Sequence, residues 1–142
     1  MMNGKAGNAD LCFSAMPENL SAFKKAEILQ KKAAQAGFDW NAGDQAPVIA
    51  KISEELEEVS EALAIGEKDS IAGELGDLLF AVIKLTQRCG IDPEYALSLT
   101  NAKFQRRLGY IEKKLQEHNK TWQDFSLDDL ESLWEEAKRH SL

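Results

Sequence analysis

The chain has 142 residues, 44% of them apolar, and a formal net charge of −7. That length fits one domain with a real core. The acidic balance, without any basic block, argues against a nucleic-acid polymer as partner, because such a partner needs a positive surface. No apolar run approaches a membrane span, and the start, MMNGKAGNADLCFSAM, lacks the long apolar core of a signal peptide. Cys12 and Cys89 are too few and too far apart for a disulfide framework, which points to a reducing, cytoplasmic compartment.

Residues 1–18 are read as a flexible lead-in and 19–142 as the folded domain. Pro17-Glu18-Asn19 opens a first helix over 19–36, with Leu20, Phe23, Ile28 and Leu29 as its apolar positions and Gly37 as its stop. Phe38-Asp39-Trp40 follows in a loop; its aromatics suit either core packing or stacking on a flat ligand. A second helix starts between Asp44 and Pro47, with Asp44 as the expected N-cap, and runs to Gly66. A third spans 69–89, capped by Asp69 or Ser70. Its stretch Leu75 to Leu85 is apolar nearly all round, which requires burial on more than one side. Gly90-Ile91-Asp92-Pro93 ends that helix and starts a fourth over 93–117. A polar linker with Trp122 and Phe125 leads to Ser126-Leu127-Asp128-Asp129, which resembles a capping box with Asp replacing Glu. It opens a last helix over 127–140 carrying Leu130, Leu133 and Trp134. No segment reads as a strand, so the expected fold is all-α: an antiparallel bundle of five helices, completed by dimerisation.

The chemistry concentrates between residues 51 and 85. Glu55 and Glu58 on the second helix, and Glu74 and Asp77 on the third, are each spaced i,i+3 and so share one side of their helix. At about 100° per residue, Ile52, Leu56, Val59 and Leu63 form an apolar stripe, and Lys51, Glu55 and Glu58 flank it. On the third helix Ile71, Leu75, Leu78, Val82 and Leu85 form the stripe, and Glu74 and Asp77 flank it in the same sense. Antiparallel packing through the stripes brings the four carboxylates to one edge, with Ala62 and Ala81 leaving room beside them. Gathered carboxylates repel and raise one another's pKa unless a cation neutralises them. An oxygen-only donor set selects Mg²⁺ or Mn²⁺. A merely solvated acidic face is the competing reading. Lys103 and Arg107, spaced i,i+4 on the fourth helix, form a cationic pair that reads equally as surface charge. There is no Glu-x-x-His for a di-iron centre, no Gly-rich phosphate loop, no nucleophile elbow and no Cys/His zinc spacing.

The order Glu54-Glu55-x-x-Glu58, then Glu74-x-x-Asp77 within ELGDLLF, then Asn101-x-Lys103-Phe104-x-Arg106-Arg107, resembles the MazG-type nucleoside triphosphate pyrophosphohydrolases. Leu29-Gln30-Lys31-Lys32-Ala33-Ala34, Gly37-Phe38-Asp39-Trp40 and the late Leu133-Trp134 also resemble that family, so the likeness covers residues 20–139. The resemblance implies a helical bundle, dimeric or larger, that hydrolyses the bond between the α- and β-phosphates of a nucleoside triphosphate. It implies Mg²⁺ held by Glu55, Glu58, Glu74 and Asp77, the triphosphate held by Lys103 and Arg107 with Lys51 near it, and Trp134 against the nucleotide. Glu54 would be the water-activating base, although the helical wheel turns it further from the cluster. Many relatives carry a basic residue a few positions before the Glu-x-x-Asp pair; here Ser70 and Ile71 stand there, and the nearest cation is Lys68. Base-selective relatives acting on dUTP, dCTP or phosphoribosyl-ATP are the alternative within this chemistry. A non-catalytic acidic interaction module is the alternative outside it.

Overall fold

The computed structural model describes residues 13–140 and 142; residues 1–12 of the expected lead-in, Cys12 among them, lie outside the described residues. The described elements are five α-helices and one 3₁₀ turn, with no strand among the described residues: α1 (Ala22–Gln35), α2 (Ala46–Ile65), α3 (Lys68–Arg88), α4 (Pro93–Glu117), the turn Trp122–Asp124, and α5 (Leu127–Arg139). None of these helices is long and apolar enough to cross a membrane. The chain divides into two compact units, one ending at Pro93 and one beginning at Glu94.

In the first unit α1 begins at Ala22, with Ser21 as its N-cap accepting from the Lys24 N–H at 3.1 Å, rather than at Asn19, whose φ of 69° is left-handed. Asp44 does cap the start of α2, accepting from the Ala46 N–H at 3.1 Å, although Gln45 occupies the N-cap itself. The connection from α2 to α3 is tighter than expected. Gly66 takes φ 82°, its N–H returns to the Ala62 carbonyl at 2.9 Å, and α3 is already under way at Lys68. Only a residue without Cβ adopts that conformation cheaply. The result is an antiparallel hairpin of two long helices, with α1 packed against α3.

The expected stripes are covered only in part, with Ile52, Ile71, Leu78 and Leu85 half-buried. Val59, Ala62, Ala81 and Ile83 are buried, whereas Leu56 (54% exposed), Leu63 (58%), Leu75 and Val82 face outward. Leu56, Leu63, Leu75 and Val82 therefore leave an exposed apolar face, while Ala62 and Ala81 are buried on the flank that carries the acids. On α1 the buried positions include Glu27 and Gln30 rather than its large apolar residues.

Helix α4 begins at Pro93, as the Gly-x-Asp-Pro signal indicates, and Ile111, Leu115 and Ala137 are the buried apolar residues of the second unit. The Ser126 box forms in both directions. Its hydroxyl accepts from the Asp129 N–H and the Asp129 carboxylate accepts from the Ser126 N–H, each at 3.2 Å. Thr121 and Asp124 build a second box over the 3₁₀ turn, which the sequence reading passed over as linker.

Candidate functional site

Glu55 is 5% exposed, deeper than any leucine of α2, because it lies on the side turned toward α3. Lys51, one turn earlier, places Nζ 2.9 Å from Glu55 Oε1 and 3.2 Å from Glu54 Oε1. One turn later Glu58 meets Glu55, and Glu74 of α3 approaches both. One carboxylate oxygen from each of Glu55, Glu58 and Glu74 lies within 4.8 Å of the others. Glu55 Oε2 and Glu74 Oε2 are buried and accept from no N–H or hydroxyl group among the described residues. Asp77 is exposed and stands apart from this trio, one turn further along α3.

The electrostatics record that crowding. Hydrogen bonding to Glu55 and repulsion from it push the Glu58 carboxyl up to about 7, with desolvation and then Glu74 adding to the effect. Glu55 moves the opposite way, lowered chiefly by its hydrogen bond to the Lys51 ammonium. Two carboxylates side by side thus divide into one held charged by a lysine and one that keeps its proton toward neutrality.

Beside the trio a cavity of about 830 Å³ opens between α1, α2, α3 and the α1–α2 loop. Leu29, Val48 and Ala81 supply aliphatic wall, while Phe38, Trp40 and Phe80 supply aromatic wall. Lys51, Glu55, Asp77 and Lys84 give it a charged rim. The two loop aromatics are not core residues: Phe38 is 84% exposed and Trp40 43%.

What holds that loop is a clasp that no sequence periodicity announces. Asp39 bonds Lys84 Nζ at 3.1 Å and Arg88 Nη1 at 2.9 Å. Arg88 also donates to the carbonyls of Trp40 (3.2 Å), Asn41 (2.6 Å) and Asp44 (2.6 Å) and to Gln45 Oε1 (3.0 Å). The Gln45 amide returns a bond to the Arg88 carbonyl at 3.0 Å. Burial works to raise the Asp39 carboxyl, but the Lys84 bond, the Trp40 N–H and the two cations outweigh it and hold it below its usual range. A signal did exist in the sequence. Lys84 and Arg88, spaced i,i+4 just after the apolar run Leu78 to Ile83, required an acidic or carbonyl partner.

In the second unit Arg107 stacks over the Trp134 ring at 5.0 Å from its centroid and donates Nε to the Leu142 carbonyl at 2.8 Å. Phe104 touches the same ring, centroid to centroid 5.5 Å. Lys103 is exposed. The structure thus brings together Glu55, Glu58 and Glu74 with Lys51 and Glu54 in one unit, and Arg107 with Trp134 in the other.

Helices alone, three glutamates drawn together between two of them, and an adjoining cavity with aromatic walls define a helical protein organised on a carboxylate cluster. The MazG nucleotide pyrophosphohydrolase domain matches residues 44–110, a span that holds the trio, Asp77, Lys51, Lys103 and Arg107. Residues 44–110 thus form a MazG-type domain, and the similarity to MazG proteins extends over most of the chain. It is 33% identical over 129 residues to the nucleoside triphosphate pyrophosphohydrolase of Escherichia coli strain K12, a match covering 89% of this chain and 48% of that protein. It is 35% identical over 117 residues to the nucleoside triphosphate pyrophosphohydrolase/pyrophosphatase MazG of Thermotoga maritima, covering 82% of this chain and 44% of that protein. An uncharacterised protein of Bacillus subtilis is 44% identical over 69 residues, 49% of this chain and 14% of that protein. The chain spans about half the length of the Escherichia coli and Thermotoga relatives.

Proposed function

We propose that this chain is a nucleoside triphosphate pyrophosphohydrolase that adds water across the α–β phosphoanhydride and releases the nucleoside monophosphate and pyrophosphate, with Mg²⁺ as its ion. The observation that carries the reading is the Glu55–Glu58–Glu74 trio with its two buried, unpartnered oxygens. Buried acceptors without partners are rare and costly, and a hard divalent cation satisfies them with the oxygen-only donor set it prefers. The residues present therefore fit the ion. Glu55, Glu58 and Glu74 would hold it, with Asp77 close enough along α3 to share in the same cavity rim. Bound there, a divalent ion supplies positive charge against the oxygens of a triphosphate.

The chain's own residues supply the rest of the proposal. Lys51, already bridging Glu54 and Glu55, is the cavity-rim cation beside the carboxylates. Glu54, more exposed than Glu55, is the candidate for orienting water. The aromatic walls of the cavity suit a base, since stacking is available to every nucleobase. Lys103, Arg107 and Trp134 are assigned to triphosphate and nucleotide on the family motif. The names of the Escherichia coli and Thermotoga relatives support the same reaction. The outward face of Leu56, Leu63, Leu75 and Val82 supports a second copy of the chain as partner.

Product analysis tests the reading. Each natural ribo- and deoxyribonucleoside triphosphate is incubated with the protein and Mg²⁺, with and without EDTA, and resolved by anion exchange. Monophosphate plus pyrophosphate, abolished by EDTA, is expected. Diphosphate plus orthophosphate would place the cut at the other anhydride and refute it, and no product from any nucleotide would favour the interaction module.

A further inference from the structure

We propose that Gln30 reads the base: its side-chain oxygen accepts a hydrogen bond from an N–H group on the nucleobase held in the cavity. The inference deepens the pyrophosphohydrolase reading and rests on it. Gln30 is 4% exposed, lies on α1 and lines the cavity of about 830 Å³ beside the carboxylates. Its Nε2 donates to the Phe80 carbonyl of α3 at 2.7 Å. A backbone carbonyl only accepts, so the amide nitrogen must face α3 and the oxygen must turn away from it. The orientation of the amide is thereby fixed by its neighbour. Gln30 Oε1 is buried and has no hydrogen-bond partner among the described residues. A buried amide oxygen left in that condition is costly, and such groups almost always find a donor.

The walls around it narrow the donor to one chemical class. Phe38, Trp40 and Phe80 offer aromatic surface, which suits a flat heteroaromatic ring. Adenine, cytosine and guanine present an amino N–H at the edge of that ring, and uracil and thymine present a ring N–H. A lone acceptor accordingly admits every natural base and discriminates against a ring that carries no N–H at all. Sites built to hydrogen-bond a substrate reject the analogue lacking that group far more strongly than apolar pockets reject a change of size.

Purine riboside triphosphate, which is ATP without its amino group, is the probe. Pyrophosphate release with Mg²⁺ is measured from it and from ATP, using the full chain and Gln30→Leu. The unaltered protein is expected to favour ATP by about ten- to hundredfold in kcat/KM, and Gln30→Leu to treat the two within about twofold. Equal kcat/KM for the two substrates in the unaltered protein would overturn the assignment and show that Oε1 is satisfied by water; this arm decides even where Gln30→Leu does not fold. A folded Gln30→Leu that keeps the full preference would also overturn it, by giving the recognition to another group. Absence of pyrophosphate from every nucleotide would overturn the underlying function and this assignment with it.

Discussion

Replacing Arg88 with methionine removes one guanidinium while keeping much of its stem. That guanidinium, on a side chain 6% exposed, bonds Asp39 at 2.9 Å and reaches the carbonyls of Asn41 and Asp44 at 2.6 Å each. Removing one member of a buried pair costs about 3–5 kcal/mol. Two offsets apply here. Asp39 keeps Lys84, and the loop carbonyls lie near enough to solvent for water to take over. We expect a loss of about 2–3 kcal/mol, or about 5–10 °C in Tm. Urea unfolding followed by circular dichroism, alongside a thermal scan, measures it. In the Mg²⁺ assay the variant should raise KM and keep most of kcat, because the loop walls the cavity but carries none of the clustered acids. A loss within about 0.5 kcal/mol, the range of an ordinary surface change, would refute the reasoning by showing the clasp to be replaceable.

Three further outcomes follow from the same geometry. Millimolar Mg²⁺ should raise Tm, by the equivalent of about 2.7 kcal/mol at a hundredfold excess over Kd. Glu55→Gln should lose that rise; an undiminished shift would remove Glu55 from the ligand set. Without metal, folded Glu58 keeps its proton up to about 7 while the unfolded chain releases it near the ordinary glutamate value of 4.5. The folded state thus binds more protons in that window, and its stability should fall as pH rises through it and then level off. Urea midpoints at pH 5 and 7.5 test this, and Glu58→Gln should flatten the slope; an equal slope in the variant would place the titration elsewhere. Leu63→Asp, on the outward apolar face, should convert a sedimenting dimer to monomer, and a monomeric unaltered protein would dispose of that partner.

Local signals in the sequence were legible where they act within a few residues. Ser126 and Asp129 cap each other, and Pro93 opens α4, because both effects need only neighbouring backbone. The acidic trio was legible for a different reason: i,i+3 spacing fixes a shared helix side whatever the helix packs against. Asp77 shows the limit of that argument, since sharing a side with Glu74 did not bring it within the trio. The apolar stripes were legible only in part as contact faces: Val59 is buried, but Leu56 and Leu63 of the same stripe are not. Two helices approach most closely through small residues, and Ala62 and Ala81 are buried where Leu56 and Leu63 are not. The bulky stripe then remains free for another surface. Gln30 was not legible as a site residue, and for Arg88 the sequence signalled only the need for a partner. Their roles arise from contacts to Phe80 and to residues 39–45, which leave no period in either strand of sequence.

Helix α3 also acts as a ruler. Arg88 follows Glu74 by 14 residues, about four turns and about 21 Å, so both project from nearly the same side. One end of this rod fixes an acid of the cluster and the other fixes the loop that walls the cavity. A single residue inserted between them would swing one end by about 100° relative to the other and break the cluster or the clasp, even if every side chain named above were kept. The interior of α3 cannot change length.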